Sequence, residues 1–310
     1  MNLKRIIAGP ILSFVFLIIF VYMISGVKWF FDSSVRIESG DELLASISTS
    51  FYTASIVSVP IQDNFQPVFE VAPMSQINAN AAISVECNLK GANKIIFEKD
   101  SDTQLPIASL TKLMTAIVVL ENYDLSDIVV VSEAANLQDS MKQDVNLGDS
   151  MSVESFLEIM LVGSSNKSAY ALAEKMNKAV FVGAMNKKAK DLGLQKTFFV
   201  DPTGLSPENV STAKDLAKLA EYILKNYLKI AEISKLKEVN IPGFGKVINT
   251  DQLLGEIPEV ICSKTGFTEA ANGCLLLVVN NSKNNNYLIN VILGSDNRFA
   301  EMRKLIETCK

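Results

Sequence analysis

The order of periodic segments predicts an α/β (α+β) domain, because strand signals open and close the globular part and a long run of helical periodicity lies between them. At the start, Ala81-Ala82-Ile83-Ser84-Val85-Glu86 and Lys94-Ile95-Ile96-Phe97-Glu98 flank the turn-like stretch Asn88 to Asn93, which contains Gly91 and reads as a β-hairpin. At the end, strand patterns return at Val260 to Thr265, Gly273 to Val279 and Tyr287 to Leu293, with the polar turn Ser282 to Asn286 between the last two. Strands at both ends imply one sheet whose parts meet in space though not in sequence.

Each intervening segment carries apolar residues at three-to-four spacing. Leu110 to Glu121, Val153 to Leu161, Ser168 to Asn177, Val180 to Leu192 and Thr212 to Lys225 are therefore expected as helices. Asn297 is expected to cap a closing amphipathic helix through Phe299, Met302, Leu305 and Ile306. No internal repeat is visible.

Three sections are expected along the chain: 1–31, 32–80 and 81–310. Between Arg5 and Lys28 lie about 22 uncharged residues, Ile6 to Val27, which as a helix span roughly 33 Å, enough for a bilayer core. Lys4 and Arg5 favour a cytoplasmic start, and Trp29, Phe30 and Phe31 suit the aromatic belt of the opposite interface. A cleaved signal peptide fits less well, since the apolar run is too long and Ile24 stands where a small residue is wanted. The expectation is a single-pass membrane anchor with the folded domain outside the cytoplasm. From Asp32 to Asn80 the chain is Ser/Thr-rich, with Pro60, Pro67 and Pro73, and reads as a stalk with short strand-like pieces such as Phe51 to Val59.

Composition narrows the chemistry. The chain has 310 residues and is 48% hydrophobic, enough to bury a substantial core in one large domain plus an extension. A formal charge of −5 with dispersed basic residues argues against nucleic acid as a partner. Cys87, Cys262, Cys274 and Cys309 show no C-x-x-C spacing and are expected as free thiols. There is no histidine, which rules out a Ser-His-Asp triad and removes the commonest zinc ligand. Neither a metal nor a cofactor is expected. In a hydrolase of this composition a lysine must move the proton.

Ser-x-x-Lys supplies such a pair but is a weak signal, occurring five times: Ser25/Lys28, Ser109/Lys112, Ser164/Lys167, Ser211/Lys214 and Ser234/Lys237. Order chooses among them. Lys-Thr-Gly occurs once, at Lys264-Thr265-Gly266, and of the three Ser-x-Asn matches, at Ser164, Ser282 and Ser295, only Ser164-Ser165-Asn166 precedes it. Ser25 lies in the apolar span, which leaves Ser109-Leu110-Thr111-Lys112 to open the series.

This ordered set resembles the active-site serine penicillin-recognising enzymes, which carry Ser-x-x-Lys, Ser-x-Asn and Lys-Thr-Gly. Longer stretches narrow the resemblance: Pro106-Ile107-Ala108-Ser109 continuing to Ala116, Asp201-Pro202-Thr203-Gly204-Leu205 followed by Ser211 to Ala217, and Lys264 to Thr268. They look like the low-molecular-mass penicillin-binding proteins, the serine-type D-alanyl-D-alanine carboxypeptidases, from about Ala81 onward. The resemblance implies a penicillin-binding, serine β-lactamase-like fold: a mostly antiparallel five-stranded sheet flanked by helices, beside an all-helical region. It also implies peptidoglycan stem peptides ending in D-Ala-D-Ala as substrate and β-lactams as covalent inhibitors. Two features depart from it. The pattern Ser-Gly-Asn-Asp-Ala reads Ser164-Ser165-Asn166-Lys167-Ser168 here, which changes the local charge. No C-terminal domain or amphipathic anchor of the kind many relatives carry is expected beyond the closing helix, and the N-terminal span is expected to replace that anchor.

By resemblance, Ser109 is the nucleophile, Lys112 its base, and Ser164 the hydroxyl that passes a proton to the leaving D-Ala. Asn166 would hold the substrate amide, and the backbone N–H groups of Ser109 and Phe267 would form the oxyanion hole. Lys264 and Thr265 would bind the terminal carboxylate, while Gly266 lets the substrate backbone approach the strand. Physical chemistry agrees with this assignment. A spacing of three puts Ser109 and Lys112 on one helical face, in a first turn whose dipole favours developing negative charge. Lys112 is a base only when neutral, and burial beside Lys264 lowers its pKa.

The same residues would serve a D,D-endopeptidase acting on cross-links. A class A-like β-lactamase would use Asp201-Pro202 where that class uses Glu-Pro, but Asp201 is one methylene shorter and Thr203-Gly204-Leu205 resembles the carboxypeptidase loop. A non-catalytic, penicillin-sensing protein would not need all of Ser109, Lys112, Ser164, Asn166 and Lys264-Thr265-Gly266.

Overall fold

A computed structural model describes residues 76–139, 144–281 and 286–310. The expected anchor and nearly all of the expected stalk lie outside these residues. Among the described residues no helix is long and apolar enough to cross a membrane.

The chain opens with β1 (Ala81–Cys87), β2 (Lys94–Lys99) and the short β3 (Leu105–Pro106). A 3-10 turn at Ala108–Leu110 then runs directly into α1 (Thr111–Asn122). Next come β4 (Ile128–Val130), α2 (Glu133–Asn136), β5 (Ser150–Ser152), α3 (Val153–Val162), α4 (Asn166–Glu174) and α5 (Lys178–Asp191). The short β6 (Val210–Ser211) precedes α6 (Ala213–Asn226), α7 (Leu228–Ser234) and the hairpin β7 (Glu238–Ile241) with β8 (Gly245–Ile248). Three long strands follow, β9 (Val260–Thr268), β10 (Asn272–Asn281) and β11 (Asn286–Ser295), before α8 (Arg298–Cys309) closes the chain.

The five-stranded sheet has the order β2-β1-β11-β10-β9, and every neighbouring pair is antiparallel. The first and last strands of the domain are thus partners, with Ile83 opposite Val291, as the sequence predicts. Alternation along β10 explains its near-continuous apolar run. Leu276 and Val278 enter the core shared with the helices, while Leu275, Leu277 and Val279 enter a second cluster with Met302, Leu305 and Ile306 of α8. A central strand covered on both faces needs apolar residues at every position. Ile77 and Ala79 are buried in that second cluster too, and the Asn80 N–H donates to the Leu293 carbonyl at 3.0 Å.

Side chains start the helices where the sequence has cap residues. Ser152, Ser165, Asn177, Thr212 and Asn297 each accept a backbone N–H from the first turn of the helix that follows. β9 is the edge strand of the sheet, and its Gly266 is pressed against the turn that carries Ser109. A Cβ added there would lie 3.0 Å from the Ile107 carbonyl oxygen and 3.1 Å from the Ser109 nitrogen. This packing brings the helical wall and the sheet wall of a cleft together. Cys87, Cys262 and Cys274 are buried thiols, and Cys309 is partly exposed.

Candidate active site

Ser109 sits in the 3-10 turn immediately before α1 rather than within the helix itself. Ala108, just before it, is held at a φ of +46°. Ser164, in the junction between α3 and α4, has a φ of +61°. Left-handed backbone at a non-glycine residue costs on the order of 1 kcal/mol or more, and here one instance lines the cleft and the other directly precedes Ser109, which lines it too.

α1 is buried from Thr111 to Val119, an interior helix apolar on nearly every side, so Lys112 has no exposed surface. Its Nζ lies 2.8 Å from Ser109 Oγ, 2.6 Å from Asn166 Oδ1 and 2.7 Å from the Thr203 carbonyl oxygen. A neutral amine has two N–H donors and one lone pair. Asn166 Oδ1 and the Thr203 carbonyl can only accept, so they take the two donors and leave the lone pair for the Ser109 hydroxyl. Burial holds the Lys112 amine well below the ordinary lysine range, and the nearby charge of Lys264 pushes in the same direction, while Asp201 and Asp144 oppose it.

Lys264 is 2% exposed and donates to Ser164 Oγ at 2.8 Å and to the Thr265 carbonyl at 3.0 Å. Burial brings its pKa to about 7, with Asp251 opposing the fall and Arg298 adding to it. The structure therefore joins two serine–lysine pairs, Ser109 with Lys112 and Ser164 with Lys264. Asn166 links the first pair to the cleft rim, since its Nδ2 donates to the Asp139 carbonyl at 2.7 Å.

The cleft has a volume of about 580 Å³. Ser109, Ser164, Asn166, Thr265, Gly266 and Phe267 all line it, so every member of the predicted set other than the two buried lysines converges on one space. Of the other Ser-x-x-Lys pairs, Lys214 and Lys237 are exposed, and Lys167 points to Asn136 Oδ1 at 2.9 Å.

The Asp201-Pro202-Thr203-Gly204 loop supports the helical wall. Asp201 Oδ1 accepts from the N–H of Thr203, the hydroxyl of Thr203 and the N–H of Gly204, and Oδ2 accepts from the N–H of Ser206. A carboxylate so occupied caps a turn, as its place in the sequence suggests. Gly204, at a φ of +86°, lies so near the turn before α1 that a Cβ would stand 1.9 Å from the Ala108 carbonyl oxygen. Glycine is required there for both reasons. Asn209 completes the brace, with Nδ2 donating to Thr111 Oγ1 and to the Asp201 carbonyl.

Sequence reasoning missed several neighbours. Thr250 shares a 2.5 Å hydrogen bond with Thr265 through their hydroxyls. Arg298 lines the cleft and donates to the Gly266 carbonyl at 3.4 Å. Asp251, 4% exposed, accepts from the Ser263 hydroxyl beside Lys264. None belongs to a motif, and each reaches the site from a distant loop or helix end.

Comparison with known proteins bears on this geometry. A family model described as D-alanyl-D-alanine carboxypeptidase, peptidase S11, matches residues 67–297. A D-alanyl-D-alanine endopeptidase of Escherichia coli is 35% identical over 77% of this chain and 80% of its own length. The D-alanyl-D-alanine carboxypeptidase DacF of Bacillus subtilis is 33% identical over 74% of this chain and 61% of its own. Among solved structures, penicillin-binding protein D2 of Listeria monocytogenes in its ampicillin-bound form superposes with a TM-score of 0.69 at 29% identity, covering 76% of this chain and 99% of that one.

Proposed function

The chain belongs to the D-alanyl-D-alanine carboxypeptidase family, serine-type hydrolases, and from that premise we propose that Ser109 is the nucleophile of an acyl-enzyme cycle that removes the terminal D-Ala from peptidoglycan stem peptides. The observation that carries the assignment is the Lys112 cage. An amine with no solvent access, two fixed acceptors and a lone pair left for Ser109 Oγ at 2.8 Å is built to take a proton.

In this reading Ser109 Oγ attacks the penultimate D-Ala carbonyl carbon as its proton passes to Lys112 Nζ. The backbone N–H groups of Ser109 and Phe267 receive the oxyanion. The C–N bond then breaks, and the departing D-Ala amine takes a proton by way of Ser164, whose hydroxyl Lys264 holds. Water attacks the resulting ester and frees the shortened peptide. Asn166 orients the substrate amide, Lys264 and Thr265 hold the terminal carboxylate, and Gly266 admits the substrate backbone to the edge of β9. β-Lactams would acylate Ser109 by the same attack.

A second reading, D,D-endopeptidase action on cross-linked peptides, is favoured by the relatives named endopeptidases in Escherichia coli and in Pseudomonas aeruginosa, the latter 30% identical over 86% of this chain. The chemistry at Ser109 is unchanged, and only the leaving group differs. We further propose that Ile6 to Val27 anchors the chain in a bacterial membrane with the folded domain extracytoplasmic, on the strength of that uninterrupted apolar run.

Incubating the protein with a D-Ala-D-Ala stem peptide, a cross-linked dimer and a penicillin, with Ser109→Ala as control, tests the assignment. Release of D-Ala together with stable penicillin labelling of Ser109 is expected. Cleavage of the dimer alone would move the assignment to endopeptidase, rapid penicillin turnover would make it a β-lactamase, and reversible binding without acylation would make it a sensor. A mature protein whose N-terminus lies near Val27 would refute the anchor.

A further inference from the structure

The two described ends of the loop from α2 to β5 hold the Ser164-Ser165-Asn166 segment. At one end, the Asp139 carbonyl accepts from Asn166 Nδ2. At the other, Asp144 Oδ1 accepts from Ser165 Oγ at 2.5 Å and from the N–H of Val145 at 2.8 Å. Ser165 is 3% exposed, and its hydroxyl also accepts the Ser168 N–H at 2.8 Å to cap α4. The second carboxylate oxygen, Asp144 Oδ2, is buried with no hydrogen-bond partner among the described residues. Leaving a buried oxygen unpaired is destabilising. The link to Ser165 uses one carboxylate oxygen and leaves the second without a hydrogen-bonding role among the described residues.

The surroundings of the carboxylate bear on its use. Burial raises the Asp144 pKa, while the hydrogen bonds from Ser165 and Val145 and the charges of Lys167 on α4 and Lys112 on α1 oppose that rise and favour the ionised form. Lys112 in turn faces Lys264 on β9, Asp201 in the loop before β6, and Asp144. This is also where the chain departs from the Ser-Gly-Asn-Asp-Ala pattern. The acid after the asparagine is replaced by Lys167, which donates to Asn136, and the glycine is replaced by Ser165, whose hydroxyl holds Asp144. The two changes move a negative charge from the helix to the adjoining loop.

We propose that Asp144 is a positioning residue, a carboxylate brought in by the loop before β5 and fixed by Ser165, which supplies the Lys112–Asn166 pair with the negative charge that the family pattern carries directly after the asparagine. It acts through Ser165 and through space, and it touches no reacting atom. The inference rests on the reading of Lys112 as the base.

The test is the pH dependence of Ser109 acylation by a fluorescent penicillin, measured on the full chain in detergent from about pH 5 to about pH 9. Acylation requires neutral Lys112, so its acid limb follows the Lys112 titration. Asp144 favours the ammonium form, and losing its charge makes Lys112 easier to deprotonate. Asp144→Asn, which keeps an acceptor for Ser165, is expected to move the acid limb about one pH unit lower and leave the plateau within about twofold. Ser165→Gly is expected to move the limb in the same direction and to lower the plateau about tenfold, because Asn166 loses its neighbour's anchor. An acid limb left in place in both variants, whatever happens to their melting temperatures, overturns the proposal. Failure of the unaltered protein to label at Ser109 would instead overturn the proposed function.

Discussion

The two walls of the cleft put the same side chain to different uses. On the helical wall Lys112 is wholly buried, its direct partners are the uncharged oxygens of Ser109, Asn166 and Thr203, and the largest nearby charge effect is the repulsion of Lys264, ahead of the attraction of Asp201 and Asp144. On the sheet wall Lys264 is nearly as buried, but its environment includes the buried carboxylate of Asp251. Desolvation lowers both pKa values, and the local charge decides how far. In the proposed mechanism a site without histidine thus obtains a base from one lysine and an anion clamp from another, by environment alone.

The largest expected effect comes from removing one side of the comparison. Lys112→Met should lower Ser109 acylation by on the order of 10³-fold in a penicillin-labelling time course. Its melting temperature should change little, since the apolar gain of methionine at a buried site offsets the donors lost to Asn166 Oδ1 and the Thr203 carbonyl. Gly204→Ala attacks the same wall through its brace. With a φ of +86° and a Cβ 1.9 Å from the Ala108 carbonyl oxygen, it should cost roughly 2–4 kcal/mol in denaturant unfolding and slow acylation as the Thr203 carbonyl leaves Lys112.

Asp251→Asn probes the sheet wall. Asp251 favours charged Lys264, so its loss should take the Lys264 titration from about 7 to a lower pH. The alkaline limb of peptide hydrolysis should move down with it, by about one pH unit, while the acid limb stays. Movement of both limbs together would dissolve the distinction between the walls. Thr265→Val should have the smallest effect, about a five- to tenfold rise in the KM for a stem peptide with kcat little changed, as one hydrogen bond to a carboxylate is lost.

The walls also differed in how much the sequence disclosed. Ser109, Lys112, Ser164, Asn166 and Lys264-Thr265-Gly266 were legible because chemistry at one point fixes residue types at short spacings, and only one order of the look-alike motifs is consistent. The long strands and helices were legible for a similar reason, since burial imposes a period on them. β3 with β6, and β4 with β5, are two or three residues long, too short for any period to register. Thr250, Asp251 and Arg298 meet the strand from loops and a helix end, and such long-range contacts leave no local pattern. Asp144 was hidden for the same reason, although the unusual Ser165 and Lys167 beside it marked the place.

The most direct measurement is an NMR titration of lysine amines in protein labelled with ¹³C and ¹⁵N at lysine, with the Lys112 resonance assigned by its disappearance in Lys112→Met. The account predicts that Lys112 loses its proton well below the ordinary lysine value of 10.5 and is neutral where acylation is fast. A Lys112 that stays charged throughout the active pH range would contradict it.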